Sequence, residues 1–398
     1  MSNGAQVLLQ TLLNAGVDTC FSNPGTSEMH FVAALDDAPD MRAVLTLFEG
    51  VATGAADGYA RMADKPAATL LHLGVGLGNG LSNLHNARKA RVPVLNIVGD
   101  HATSHIQYDS LLQSDIETLA SNVSPWVRTS KSTADLSKDA LEAIEVASKA
   151  PASVATLILP ADVSWGEGGV AATPIPPSSL KPSSPGIIAS VASVLTQKRR
   201  CAILLGGKAL RAKALSVAAS IANVTGAKLF AEAFPARMTC GAGLPNIERI
   251  DYNSNQLSEF DDLILVDAID PLVGGTNNIN CLELASLSQD SLSSLIKLST
   301  ELGHRLSLDI NAAGDVESVN SETLEPLTGE LNIEKACLAI AAMLPENAII
   351  SDESNIAPSA LSTYLSKAPR YDLLSLTGDA KGQALPVSIG AAIASPNR

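Results

Sequence analysis

The turn Phe21-Ser22-Asn23-Pro24-Gly25-Thr26 and the carboxylate of Glu49 are the first residues in this chain whose types and placement could do chemistry. Asn-Pro-Gly is a strong turn signal, and here it closes the short run Asp18-Thr-Cys-Phe21. A turn at the carboxyl end of a strand is where open α/β sheets place ligands. Glu49 follows the apolar run Val44 to Phe48 and precedes a stretch rich in glycine and alanine. Taken alone, such a glutamate reads as a solvated helix-start residue favoured by the helix dipole. His72 ends the run Thr69-Leu-Leu-His72, beside Gly74-Val-Gly76-Leu-Gly78. A lone imidazole at a strand end is more often structural; its place beside the glycines suits it to proton relay as well. The run Gly99-Asp100-His101 to His105, with Gln107 and Asp115, offers two histidines but no third metal ligand, and reads as a loop near a substrate channel.

The elements that must position these groups alternate between helix and strand. Ala5 to Ala15 has apolar residues at helical spacing and stops at Gly16; Arg42 to Leu47, Ala67 to Leu73, Val92 to Val98 and Val154 to Leu159 read as strands. Gly50 to Ala63 and Leu81 to Ala90 read as helices, with a glycine-rich turn from Gly74 to Gly80. That turn is superficially like a dinucleotide fingerprint, but the G-x-G-x-x-G spacing is not met and Asp100 is the only candidate ribose partner. The segment Gly166 to Gly186 is crowded with Pro, Gly and Ser and reads as a linker. Beyond it the pattern repeats, with strands Cys201 to Leu205, Lys228 to Ala231, Leu263 to Val266 and Leu306 to Ile310, and a helix Ala209 to Val224. A last block opens with the helix Ile333 to Met343, then a strand Ala348 to Ile350 and a loop Ser351 to Asn355. The expected fold is α/β, with three doubly wound parallel-sheet domains: residues 1–169, a linker 170–186, residues 187–329 and an incomplete 330–398.

Composition agrees with that class. Hydrophobic residues make up 46% and aromatics only 3%, so the cores must be built from Ala, Val, Leu and Ile, as near-continuously apolar parallel strands require. A formal charge of -14 argues against nucleic-acid and anionic-membrane surfaces, which need clustered Lys and Arg. The five cysteines are scattered without a C-x-x-C pair, so neither a disulfide framework nor a zinc site is expected. The start MSNGAQVLLQ shows no signal-peptide pattern and no apolar run is long enough to cross a bilayer, so the expected location is cytoplasmic.

Phe48-Glu49-Gly50 followed by Ala55-Ala56-Asp57-Gly58-Tyr59-Ala60-Arg61, with Asn23-Pro24-Gly25 upstream and Gly76, Gly78 and Asn79 downstream, resembles the pyrimidine-binding domain of thiamine-diphosphate enzymes. The closest flavour is the acetolactate synthase large subunit and its relatives, including benzoylformate decarboxylase. The resemblance implies that Glu49 hydrogen-bonds N1′ of the cofactor's aminopyrimidine, favouring the tautomer that takes the proton from the thiazolium C2, after which the cofactor serves as electron sink. It places Thr26 and His72 on substrate-contacting positions and Asn23, Pro24, Gly25, Gly76 and Asn79 around the cofactor. It matches Asp352-Glu353-Ser354-Asn355 to the loop that meets the diphosphate, and Thr377 to Gly382, with Gly378, Asp379 and Lys381, to the segment under the aminopyrimidine. A small 2-oxo acid is the implied substrate, and sites shared between two protomers imply a homodimer or homotetramer. The central block matches the domain that holds a flavin in acetolactate synthase; no residue here demands FAD.

Two residues depart from the family pattern. Asp379 replaces a glycine, and Lys381 replaces the bulky apolar residue that props the cofactor into its bent shape. The chain also ends at Arg398, before the Gly-Asp-Gly motif and downstream asparagine that hold Mg²⁺ in the family. The expectation is therefore weak or absent turnover by this chain alone, with an apolar edge on its shortened last sheet. The alternatives are a benzoylformate-type decarboxylase, and a non-catalytic fragment or partner subunit.

Overall fold

A computed structural model describes residues 2–174, 179–251, 256–269, 271, 279–307, 328–354, 361, 364–366 and 368–398. They form two compact units, one of Met1–Ser178 with Leu376–Arg398 and one of Ser179–Ser375.

The first unit is built on a six-stranded sheet of β1 (Thr19–Asn23), β2 (Arg42–Leu45), β3 (Ala67–Leu71), β4 (Val94–Asp100), β5 (Trp126–Thr129) and β6 (Val154–Pro160), in the order β2-β1-β3-β4-β6-β5. Every pairing is parallel. Helices α1 (Gly4–Asn14), α2 (Met29–Ala34), α3 (Glu49–Ala63), α4 (Leu73–Ala90), α5 (Ile116–Ser121), α6 (Leu136–Ser148) and α7 (Ala161–Trp165) connect and cover the strands. Strands β4 and β6 are buried along their whole length, which is why they read as unbroken apolar runs rather than alternating ones. On one face Leu8, Leu12, Phe31, Ile97, Leu136 and Leu157 pack as one core, each fully buried. Burying such a side chain contributes roughly 1.5–3 kcal/mol. The polar residues inside the sheet satisfy one another: Thr69 Oγ1 donates to Asn96 Oδ1 at 2.7 Å, and Asn96 Nδ2 donates to Thr156 Oγ1 at 3.1 Å.

The second unit holds β7 (Cys201–Leu205), β8 (Lys228–Ala231), β9 (Met238–Cys240), β10 (Glu248–Arg249), β11 (Asp262–Val266), β12 (Asn280–Ala285), β13 (Ala348–Asp352) and β14 (Tyr371–Ser375). Five of these make a parallel sheet ordered β10-β8-β7-β11-β12. Its helices are α8 (Pro185–Leu195), α9 (Ala212–Thr225), α10 (Ser291–Leu306) and α11 (Ile333–Met343). The other three strands form a small sheet, β13-β14-β9, in which β13 runs parallel and β9 antiparallel to β14.

Several elements differ from the sequence expectation. The glycine-rich stretch Gly74 to Gly80 is not a turn: it is the first part of α4, and the chain reverses at a single residue, Leu73, with φ +55°. Gly76 and Gly80 face α3, and a Cβ at Gly80 would stand 2.9 Å from Thr53 Cγ2; Gly74 instead faces Ser114. Leu306 ends helix α10 and Ser307 caps it at φ +55° rather than starting a strand, and residues 308–310 of that expected strand lie outside the described residues. The small sheet does not expose the expected apolar edge on β14, because β9 pairs with it there, held by Thr239 Oγ1 and Arg237 Nη2, each 3.0 Å from the Asp372 carboxylate. Residues 376–398 pack with the first unit rather than with the strands that precede them. Their helix α12 (Ala384–Ala394) crosses α3 at glycines: a Cβ at Gly58 would fall on the Val387 carbonyl and one at Gly390 on the Ala55 carbonyl.

Candidate functional site

Glu49 is the first residue of α3, where an acidic side chain is favoured by the unpaired N–H groups of the helix start. Strand β2 leads into it: Thr46 N–H donates to the Ser22 carbonyl at 2.8 Å, tying the end of that strand to the end of β1. The side chain is only 7% exposed, so it lies inside the structure rather than in solvent. Its Oε2 accepts from Asn79 Nδ2 at 3.0 Å, and its Oε1 faces Gly76, where a Cβ would stand 3.0 Å away. Helices α3 and α4 are locked together beneath it by Asn83 Nδ2, which donates to the Gly50 carbonyl at 2.7 Å, and by Thr53 Oγ1, which donates to the Gly80 carbonyl at 3.1 Å. The carboxylate is thus held in one place with open backbone beside it.

His72 ends the segment after β3 and immediately precedes α4. Its Nδ1 lies 2.8 Å from Oε2 of Glu28, a carboxylate that is fully buried and also accepts the Gly25 N–H at 2.7 Å. Glu28 was not singled out from the sequence. The signal was its place three residues past Gly25, which makes a turn whose amide reaches back to the carboxylate. Among the described residues no partner reaches the second oxygen, Oε1, which lies against the bare Cα of Gly99. Burial pushes the Glu28 carboxyl up from its ordinary range, against the pull of the Gly25 N–H and of His72. Gly25 must be a glycine, because a Cβ there would fall on the His72 ring. Leu73, a buried non-glycine residue in the left-handed region, fixes the turn that follows.

The structure brings Asn23, Pro24, Gly25, Thr26, Glu49, His72, Gly76 and Asn79 to the carboxyl ends of β1, β2 and β3 and the helices that start there. Thr26 is exposed at the start of a short 3-10 turn. The more distant loop candidates divide. Asp100 ends β4, is buried, and has its carboxyl pushed up by that burial. His101 Nε2 is buried and finds no partner among the described residues. Asp115, by contrast, caps α5 by accepting from the Thr118 N–H at 3.0 Å, and Gln107 bonds the Ser104 carbonyl; both are local structural roles. No group of three or more His, Cys, Asp or Glu side chains among the described residues could hold a metal ion.

Gly378, Asp379 and Lys381 are not at Glu49 within this chain. Gly378 packs on Asn86 and His85, whose Nε2 lies 3.2 Å from its carbonyl oxygen. Asn86 Nδ2 donates to the Ala380 carbonyl at 2.8 Å. Residue 86 stands about 10 Å along α4 from Asn79 at 1.5 Å per residue. Asp379 has φ +59°, the backbone region that favours glycine, and its carboxylate pairs with Lys381 at 2.6 Å in solvent. Ser354 is exposed in the second unit, where its N–H donates to Asp352 Oδ1 at 2.8 Å. Asn355 lies outside the described residues.

Residues 2–121 match the thiamine pyrophosphate enzyme N-terminal TPP-binding domain. Over its full length the chain is 46% identical to a protein of Mycobacterium tuberculosis that carries the name acetolactate synthase large subunit IlvX, of which it spans 77%. It is 29% identical to benzoylformate decarboxylase of Pseudomonas aeruginosa over 65% of this chain and 50% of that one. Among solved structures, the thiamine-diphosphate-dependent 4-hydroxybenzoylformate decarboxylase of Rhodococcus jostii RHA1 superposes on the whole chain with a TM-score of 0.80 at 19% identity, covering 80% of that protein. The chain belongs to the thiamine-pyrophosphate-dependent enzymes, in the group that resembles the acetolactate synthase large subunit. No helix among the described residues is long and apolar enough to cross a membrane.

Proposed function

We propose that the first unit forms the aminopyrimidine half of a thiamine-diphosphate site for decarboxylation and carboligation of a small 2-oxo acid, of the acetolactate synthase type. The observation that carries this reading is the buried Glu49 carboxylate facing Gly76, whose missing Cβ leaves room for a flat ring beside Oε1. Glu49 would hold the ring nitrogen and move the proton that activation needs. Asn79 orients the carboxylate, while Asn23 to Gly25 and Gly76 supply backbone against the ring. When bound, the cofactor supplies the nucleophile and electron sink that 2-oxo acid chemistry requires. The residues present fit that role.

The remaining assignments belong to the same proposal. The second half of the site would be made by Ser354 and Asn355 at the diphosphate, where Mg²⁺ sits in the family, and by Gly378, Asp379 and Lys381 under the aminopyrimidine. Because Gly378 to Lys381 pack on α4 away from Glu49 in their own chain, that half is assigned to a second protomer in a cytoplasmic homodimer or homotetramer. The domain order is read as a pyrimidine-binding domain 1–169, a linker 170–186, a central domain 187–329 and the start of a diphosphate-binding domain from 330. A second reading, decarboxylation without ligation as in benzoylformate decarboxylase, is favoured by His72 held on Glu28, an arrangement suited to proton relay.

The test is to supply thiamine diphosphate and Mg²⁺ to the wild-type chain and to Glu49→Gln, follow cofactor binding by calorimetry, and analyse products from pyruvate. Saturable binding weakened by Glu49→Gln is the expected result, with slow turnover at most by this chain alone and acetolactate as the product that forms. Aldehyde alone selects the second reading. Equal binding by both proteins removes Glu49 from the cofactor site.

A further inference from the structure

The central sheet of the second unit reverses its strand order between β7 and β11. In doubly wound sheets a crevice at such a switch, outside the carboxyl ends of the strands, takes dinucleotides, with the pyrophosphate resting on N–H groups of the first strand-to-helix turn. Here that turn is Gly206-Gly207-Lys208, and a flavin is the group that family resemblance offers for it.

The donors of the turn are already engaged. Lys208 N–H donates to Asp267 Oδ2 at 2.7 Å, and Gly207 N–H donates to Glu232 Oε1 at 3.3 Å. Asp267 follows β11 across the switch, and Glu232 follows β8. The Asp267 carboxylate lies flat on Gly207, where a Cβ would stand 2.6 to 2.9 Å from its Oδ2, Cγ and Oδ1. Gly206 is filled in the same way, by the Asp267 carbonyl oxygen at 2.5 Å and Glu232 Oε2 at 2.9 Å. The room that glycines give a pyrophosphate in a dinucleotide fold is therefore taken by the chain's own anions.

The backbone supports this arrangement. Asp267 is 9% exposed and sits at φ +54°, and Gly207 sits at φ +44°. A non-glycine residue in that region persists where its surroundings hold it, and aspartate tolerates it better than most. An incoming pyrophosphate would have to displace two carboxylates and then remain beside them, at like-charge repulsion that a half-buried site screens poorly.

We infer that Asp267 and Glu232 are built-in anions that close the nucleotide crevice of the central unit, so that it accepts neither flavin nor another dinucleotide. The inference concerns the second unit and does not rest on the role of Glu49.

Flavin adenine dinucleotide, titrated into the purified full chain and followed by quenching of flavin fluorescence, is expected to show no saturable binding at micromolar flavin. Asp267→Asn and Glu232→Gln are expected to lower the thermal unfolding midpoint by several degrees, because each removes a charge-assisted bond to the turn. Saturable quenching approaching one flavin per chain overturns the inference. So does an unchanged midpoint in both variants, which would mean that the carboxylates do not hold the turn. If Asp267→Asn does not fold, Glu232→Gln and the flavin titration still decide.

Discussion

Oε2 of Glu28 accepts the Gly25 N–H at 2.7 Å and lies 2.8 Å from Nδ1 of His72, so one buried oxygen ties the turn after β1 to the residue after β3. With Glu28 ionised, the contact puts the imidazole proton on Nδ1 and leaves Nε2 as the ring's acceptor. The neighbouring glycines, Gly25 and Gly99, have no room for a side chain because the imidazole and the carboxylate fill it.

If Glu28 acts through His72, the two belong to one unit and their losses do not add. Glu28→Gln is expected to lower turnover by about 10-fold or more with cofactor affinity unchanged. The double variant Glu28→Gln/His72→Ala should then be no slower than His72→Ala alone. Independent, multiplying losses in steady-state kinetics would separate Glu28 from His72.

Burial raises the carboxyls of Glu28 and Asp100 above their ordinary values of 4.5 and 3.8. The native protein therefore binds protons that the unfolded chain has already released. The stability these groups contribute is complete below the unfolded values and is lost as pH rises through the native ones. Denaturant midpoints of wild type and Glu28→Gln between pH 4 and 7 should shift in favour of the variant as pH rises. A difference that is constant with pH would contradict the sign.

Gly76→Ala separates cofactor space from fold stability. Alanine favours a helix interior over glycine by about 1 kcal/mol, while its Cβ would stand 3.0 Å from Glu49 Oε1. The expected outcome is a thermal midpoint at or near that of wild type and at least 10-fold weaker thiamine-diphosphate binding by calorimetry, about 1.4 kcal/mol. Unchanged cofactor affinity would place the ring elsewhere.

Asp57 and Arg61 form a fully buried pair one helical turn apart on α3, at 2.7 Å, and Gln383 Nε2 also donates to Asp57 at 2.8 Å. Asp57→Ala removes the carboxylate paired with a buried guanidinium, at an expected cost of about 3–5 kcal/mol. Thermal unfolding measures it, and the segment carrying α12 should become sensitive to protease first because Gln383 and Arg61 both anchor it, the latter through Thr377 at 3.1 Å. A loss below about 1 kcal/mol would mean that water replaces the partner.

The sequence by itself determined the class of fold and half of the candidate site. The apolar runs at Val92 to Val98 and Val154 to Leu159 read as strands of a buried parallel sheet, and Asn23-Pro24-Gly25 and Phe48-Glu49-Gly50 were legible because turn chemistry and motif order are local in the chain. What only the tertiary structure decided is set by distant neighbours. Gly74 to Gly80 read as a turn by composition, yet they are the first part of α4, with Gly76 and Gly80 set against α3. Glu28 had no standing until the fold buried it and brought it to His72, a residue far along the chain. Strand β9 and the docking of α12 on α3 depend on pairing and close backbone approach between segments separated by more than a hundred residues. Local pattern encodes which way a segment curls and which face is apolar; which carboxylate loses its water, and to what partner, is fixed only when the folded chain closes around it.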